Sequence, residues 1–307
     1  MNSKTPIQKK KPFITTLNII CDYTHDQFEA LLEVISDGFY ATSVSKTENG
    51  VKLDLFSMQP VDITEVKGRF ILMAEIMEMD ACHIDHIECI PAPDKNWLEE
   101  VYQAFPPMEI GTFYLYGSHY KDQIEKIPDH LIPLQIDAAT AFGSGEHPTT
   151  RLCLERLSAL KAQGHIFQNI LDMGCGSGIL AIAAQKLWPD AKIYGVDNDA
   201  ESVNVSAEHA QTNDVTGIHF ECADGYNAEI VQNHHPFDLI IANILTRPLI
   251  SMAPQCGQVA KLNGHLILSG LLDRQKDEVI KAHEDHGFTF VKNWTHETWS
   301  CLMLEKK

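Results

Sequence analysis

The spacing of apolar residues changes character along the chain. Phe13 to Ile20 reads as a strand, and Thr24 with Gln27 forms a capping-box signature ahead of Phe28, Leu31, Leu32 and Ile35, which share one helix face. Tyr40 to Ser45 and Val51 to Phe56 are strand-like, parted by Thr47-Glu48-Asn49-Gly50, whose Asn-Gly suits a hairpin turn. A second helix is predicted over Ile63 to Met79 and a fourth strand over His83 to Ile90. The order βαββαβ is that of a small α+β ferredoxin-like sandwich, so residues 1–90 are expected to form one domain. Pro91-Ala92-Pro93 ends that pattern. Residues 91–131 read as a linker region with a short helix around Trp97 to Phe105 and a strand near Ile110 to Tyr116.

From Ile132 to Lys307 the units lengthen and alternate. Apolar strands are predicted at Asn169 to Met173, Lys192 to Val196, Gly217 to Glu221, Phe237 to Ala242 and His265 to Ser269, with helical stretches between them. That is the pattern of an α/β fold with a doubly wound, Rossmann-like, mostly parallel sheet. Ligands of such sheets sit beyond the carboxyl ends of the strands.

A length of 307 residues agrees with two domains. With 44 % apolar and 21 % charged residues the chain should fold. The net charge of −18 repels a phosphate backbone, so nucleic acid is a poor partner. Lys4, Lys9, Lys10 and Lys11 read as a solvated tail, and a basic protein would suit the acidic remainder. No apolar run suits a membrane span or a signal peptide, and a first arginine at Arg69 speaks against a transit peptide. The eight cysteines are scattered without a CxxC, which reads as a reducing cytoplasm with no legible disulfide framework. Cys82, His83, His86 and Cys89 have metal-like spacing. Strand alternation, however, would put Cys82 and His86 on one face and His83 and Cys89 on the other, so no metal is expected.

The sharpest chemical signal is Ile170-Leu171-Asp172-Met173-Gly174-Cys175-Gly176-Ser177-Gly178, an apolar strand running into glycines and then a helix from Leu180 to Leu187. Glycines such as Gly174 and Gly176 let backbone approach a ligand, and a helix start offers free N–H groups. Gly176 to Ala181 also fits GxGxxA, the dinucleotide fingerprint, and a ligand-free structural turn is the bland alternative. Asp172 tilts the choice, because a carboxylate ahead of the glycines would repel a pyrophosphate and could face the ammonium of an amino-acid moiety. Asp197 ends the next strand, placed to accept two ribose hydroxyls or, more blandly, to cap the following helix. After the third strand, Asp224 could reach an adenine amino group or sit in a solvated turn. Asn243 stops an apolar strand at the ligand edge, where it could hydrogen-bond the amino-acid part of the ligand, accept the N–H of an incoming amine through its oxygen, or merely cap the strand end. The glycine-rich stretch Ala141 to Thr150, with Phe142 and Gly143, should lie over the cofactor. Beside Pro148 in that stretch, His147 reads as a cap in preference to a base.

Together these segments resemble the PrmA family, the methyltransferases of large-subunit ribosomal protein eleven, over nearly the whole chain. Ala141 to Thr150 resembles the family's AFGTGxHPTT, with Ser144 in place of Thr and Glu146 as an added acid. Ile170 to Ala184 resembles its cofactor loop, Gly195 to Asp199 its ribose acid, and Ala242 to Leu249 its NIL-containing strand end. Asp94 to Phe113, with Trp97 and later Gly111, looks like its linker region.

The resemblance implies that residues 132–307 bind S-adenosylmethionine through Thr150, Gly174, Asp197 and Asn243, while residues 1–90 dock the protein substrate. It implies a cytoplasmic, monomeric N-methyltransferase acting on lysine side chains and the N-terminal α-amine of ribosomal protein eleven, with no nucleic-acid or membrane partner. Alternatives are a lysine methyltransferase with another target, such as the electron-transfer flavoprotein β-subunit, and a non-catalytic cofactor-binding module. A nicotinamide-dinucleotide dehydrogenase is disfavoured by Asp172.

Overall fold

The computed structural model describes residues 13–20, 41–47, 50–57, 59–76, 82–92, 106–121, 127–137 and 147–307, with single positions at 28, 31, 32, 34–36, 39 and 79. The chain divides into two units, Met1–Asn96 and Trp97–Lys307.

In the first unit, β1 (Phe13–Ile20), β2 (Ala41–Thr47), β3 (Gly50–Ser57) and β4 (His83–Pro91) form an antiparallel sheet of order β2-β3-β1-β4. Alternation along β3 buries Val51, Leu53 and Leu55, which pack with Leu17 and Ile19 of β1. Val66 and Phe70 of helix α1 (Ile63–Ile76) close this core together with Leu31 and Ile35, both at helical positions. The capping residues Thr24 and Gln27 and the turn residues Glu48 and Asn49 lie outside the described residues.

One expectation fails on β4. The register slips between Asn18 and Ile19 of β1, so that His86 pairs with Asn18 and Ile84 with Ile19, leaving Asp85 as an extra residue. Such a bulge reverses the phase of alternation. His83 and His86 are therefore both exposed, while Cys89 is half-buried with Ile84 and Ile87. Cys82 is disulfide-bonded, a pairing that the scattered spacing did not disclose. Among the described residues no group of three or more His, Cys, Asp or Glu converges as a metal ion requires.

The second unit is built on a seven-stranded sheet. It contains β8 (Asn169–Met173), β9 (Lys192–Asp197), β10 (Ile218–Cys222), β11 (Phe237–Asn243), β12 (Ala260–Leu272), β13 (Phe288–His296) and β14 (Trp299–Lys306), in the order β10-β9-β8-β11-β12-β14-β13. The first five are parallel; β14 enters antiparallel between β12 and β13. That closing hairpin goes beyond the five predicted strands.

Parity along each strand feeds two cores, as in a sheet covered on both faces. Ile170, Leu239, Ile241 and Ile267 face one core with α2 (Pro148–Ala162) and α3 (Ile179–Leu187). Leu171, Ile240, Ala242 and Leu268 face the other, with α6 (Thr246–Ser251), α7 (Ala253–Val259) and α8 (Lys276–Glu284). Helices α4 (Ala200–Thr212) and α5 (Glu229–His234) complete the alternation.

A small sheet of β5 (Met108–Ile110), β6 (Phe113–Tyr116) and β7 (Ile132–Gln135) buries Ile110, Phe113, Leu115 and Leu134 in the first of these cores. Much of the described part of residues 91–131 thus belongs to the second unit's packing. The helix expected around Trp97 lies outside the described residues. Among the described residues, no helix is long and apolar enough to cross a membrane.

Candidate cofactor and amine site

The strand order reverses between β8 and β11, and there the chain turns sharply after Met173. Gly174, Gly176 and Gly178 have φ of +74°, +53° and +78°, values at which L side chains are strained. The N–H groups of Gly174 and Cys175 both donate to the carbonyl of Val196, at 2.8 and 3.0 Å, fastening the turn to the end of β9. A Cβ on Gly174 would stand 2.2 Å from Cγ2 of Ile244, and one on Gly270 2.3 Å from the Ile244 carbonyl oxygen. Ile244 therefore packs against bare backbone on both sides, locking the ends of β8, β11 and β12 together.

Asp172 is 1 % exposed. Its Oδ2 accepts from the Ala181 N–H at 3.0 Å, serving the start of α3, whose N-cap Gly178 has no side chain to do so. Its Oδ1 is buried without a partner. Burial pushes the carboxyl up to about 7, the Ala181 bond pulls it down, and the field of Asp197 adds to the rise. A buried acid with an orphaned oxygen fits a cationic ligand group and disfavours a phosphate.

Asp197 is released from capping duty, because Asp199 is the N-cap of α4, accepting from the N–H groups of Glu201 and Ser202 at 3.2 and 3.0 Å. Asp197 instead accepts from the Gly176 N–H at 2.8 Å on Oδ2 and from the Asp199 N–H at 3.0 Å on Oδ1. Each oxygen keeps a further lone pair for a donor. The Ala223 N–H donates to the Asp197 carbonyl at 2.9 Å, which brings exposed Asp224 to the end of the neighbouring strand. Three acids thus stand at the ends of β8, β9 and β10.

Asn243 ends β11 and is buried. Its Nδ2 donates to Oγ1 of fully buried Thr150 at 3.2 Å, and its Oδ1 has no partner. Thr150 is fixed by the start of α2, where His147 is the N-cap, Pro148 follows it, and the imidazole Nδ1 accepts from the Thr149 N–H at 3.4 Å. The ring also meets Trp299 edge-on at 4.7 Å. Burial lowers its pKa, with Glu297 acting the other way. His147 caps, as its place beside proline implied. Phe142 and Gly143 lie outside the described residues.

Sequence reasoning missed the props behind this loop. Ser206 Oγ donates to the Gly176 carbonyl and His209 Nδ1 to the Ser177 carbonyl, both at 2.8 Å. Their one trace in the sequence is polar residues three apart on a helix, a spacing equally common on solvated faces. Ile244 lies within the NIL stretch, but its packing against the glycines was not legible there, since an apolar residue after a strand has many uses.

Three comparisons bear on this arrangement. The family model described as ribosomal protein L11 methyltransferase (PrmA) matches residues 31–307. A protein of Rhizobium meliloti named ribosomal protein L11 methyltransferase is 34 % identical over 301 residues, covering 96 % of this chain and 98 % of its own. One of Brucella suis with the same name is 40 % identical over 214 residues, 69 % of this chain and 73 % of its own. The crystal structure of ribosomal protein L11 methylase from Lactobacillus delbrueckii subsp. bulgaricus superposes with a TM-score of 0.58 at 26 % identity, covering 66 % of this chain and all (100 %) of that one.

Proposed function

The chain belongs to the ribosomal protein L11 methyltransferase family, and from that premise we propose that it is an enzyme transferring methyl groups from S-adenosylmethionine to ribosomal protein L11, on lysine side chains and the N-terminal α-amine. The observation that carries the amine chemistry is Asn243, whose amide is oriented by Thr150 and whose Oδ1 is buried and unpartnered at the strand end beside the glycine turn. An acceptor held in that way orients an amine through its N–H and leaves the nitrogen lone pair to react.

The cofactor fits the residues present. Asp172 would face its ammonium, Asp197 its ribose hydroxyls and Asp224 its adenine, while Gly174 and Gly176 leave their backbone bare; Thr150 holds Asn243 at the methionine end. Phe142 and Gly143 are assigned from the sequence. When bound, S-adenosylmethionine supplies a methyl already activated on a sulfonium, so this chain has to position, desolvate and align. The main difficulty is the protonation of the amine. A lysine of pKa ~10.4 is neutral about once per thousand near pH ~7.4, costing about 4 kcal/mol, whereas an α-amine at ~7.7 to 8.0 costs under about 1. Burial beside Asn243 favours the neutral amine. No general base is assigned.

The first unit we read as a ferredoxin-like module spanning residues 1–90 that recognises the protein substrate. Its order β2-β3-β1-β4 and a core shared with helical residues from two segments support this. Residues 91–131 carry the connection, and their strands β5 and β6 pack into the core of the methyltransferase domain, 132–307. A net charge of −18 suits a basic protein and disfavours direct nucleic-acid contact. The chain acts as a cytoplasmic monomer without a membrane partner; the substrate, not the cysteine pattern, carries the cytoplasmic assignment.

The test is methyl transfer from labelled S-adenosylmethionine to ribosomal proteins of a strain lacking this activity. Label is expected on L11, mapped by mass spectrometry to lysines and the N-terminus. Label on another protein, or none, rejects the substrate.

A further inference from the structure

Gly176 and Ser177 are gripped through consecutive peptide groups. The Gly176 N–H donates to Asp197 and its carbonyl accepts from Ser206 Oγ, while the next carbonyl, of Ser177, accepts from His209 Nδ1. Both props come from α4, the helix that follows the ribose acid, and both are buried. The second nitrogen of His209 is engaged too, since Nε2 accepts from the backbone N–H of Asp137 at 3.3 Å, just past β7. A carbonyl can only accept and a backbone N–H can only donate, so the ring is the neutral Nδ1–H tautomer. One turn on, Asn213 holds the Gln135 N–H and carbonyl of β7 at 2.9 and 2.7 Å.

We propose that His209, with Ser206, is a positioning pair for the cofactor, which presets the carbonyls of the glycine turn and, through its second ring nitrogen, registers that turn against the end of β7. The inference rests on the cofactor reading above and deepens it. Neither residue reacts. They set the peptide planes of the turn, whose bare backbone the ligand meets, so their loss shows as weaker cofactor binding, not as slower chemistry on a saturated enzyme.

The full chain is compared with H209A, H209N, H209Q and S206A by calorimetry with S-adenosylhomocysteine and by steady-state methyl transfer. Alanine at 209 should raise the product Kd and the S-adenosylmethionine KM by about tenfold or more, leaving kcat within about threefold and the KM for L11 unchanged. Asparagine keeps a donor near Nδ1 and should return both constants to within about threefold of the parent; glutamine keeps an acceptor near Nε2 and should recover less. Unchanged affinity in H209A, a loss confined to kcat, or an H209N as impaired as H209A while equally folded overturns the proposal. Should H209A fail to fold, S206A decides: several-fold weaker binding supports the pair and parental binding refutes it. A parent chain that binds no S-adenosylhomocysteine refutes the cofactor reading itself, and this inference with it.

Discussion

Asp172 and three half-buried or buried histidines pull stability in opposite directions with pH. The Asp172 carboxyl sits at about 7 when folded against 3.8 in the free chain, so the native state holds its proton more tightly. Its contribution is fully present below about pH 4 and is lost as pH rises toward about 7. Urea unfolding of the ligand-free chain should show D172N gaining on the parent by a few kcal/mol over that interval, on the order of ~1.4 per pKa unit. His147, His265 and His283 are lowered instead, chiefly by burial. They favour the fold when neutral, and that stability is lost as pH falls below about 6.5. At the ribose acid, D197A should weaken S-adenosylhomocysteine binding by more than about 1 kcal/mol in calorimetry. The acids at 172 and 197 were readable because strand and glycine spacing place them; the orphaned Oδ1 of Asp172 was not, because only packing decides which oxygen meets Ala181.

Elements meet at this site through contacts that tolerate little change. G174A must place a side chain at φ +74° and 2.2 Å from Ile244, which should cost about 2–4 kcal/mol in denaturant melts; adding I244A should relieve only the clash. T150V removes the hydroxyl that orients Asn243 at 3.2 Å and should reduce methyl transfer more than product binding, whereas T150S should retain both. Parallel strands covered on both faces announce themselves as apolar runs, which is why β8 and β11 were predicted almost to the residue. The hairpin β13–β14 was not, since β13 is largely exposed or half-buried and its pattern is diluted by Lys292, Asn293 and Thr295. The bulge at Asp85 likewise exists only in pairing with β1, which no local pattern specifies.

For the whole molecule, every described residue assigned to the cofactor, and every partner that holds it, lies within Trp97–Lys307. Residues 97–307 expressed alone should therefore bind S-adenosylhomocysteine like the full chain while losing transfer to L11, as calorimetry and the labelled assay would show. With a net charge of −18, added salt should raise the stability of the full chain by screening self-repulsion. By itself the sequence determined most of the succession of strands and helices, short of the closing hairpin, together with the glycine turn and the acids and amide at the strand ends, because periodicity and special backbone conformations are local properties. Only the tertiary structure decided that Asp199 caps in place of Asp197, that Thr150 orients Asn243 and that Ser206 and His209 brace the turn. Each of these depends on hydrogen bonds between segments distant along the chain, and burial makes such bonds obligatory without marking them in either segment alone.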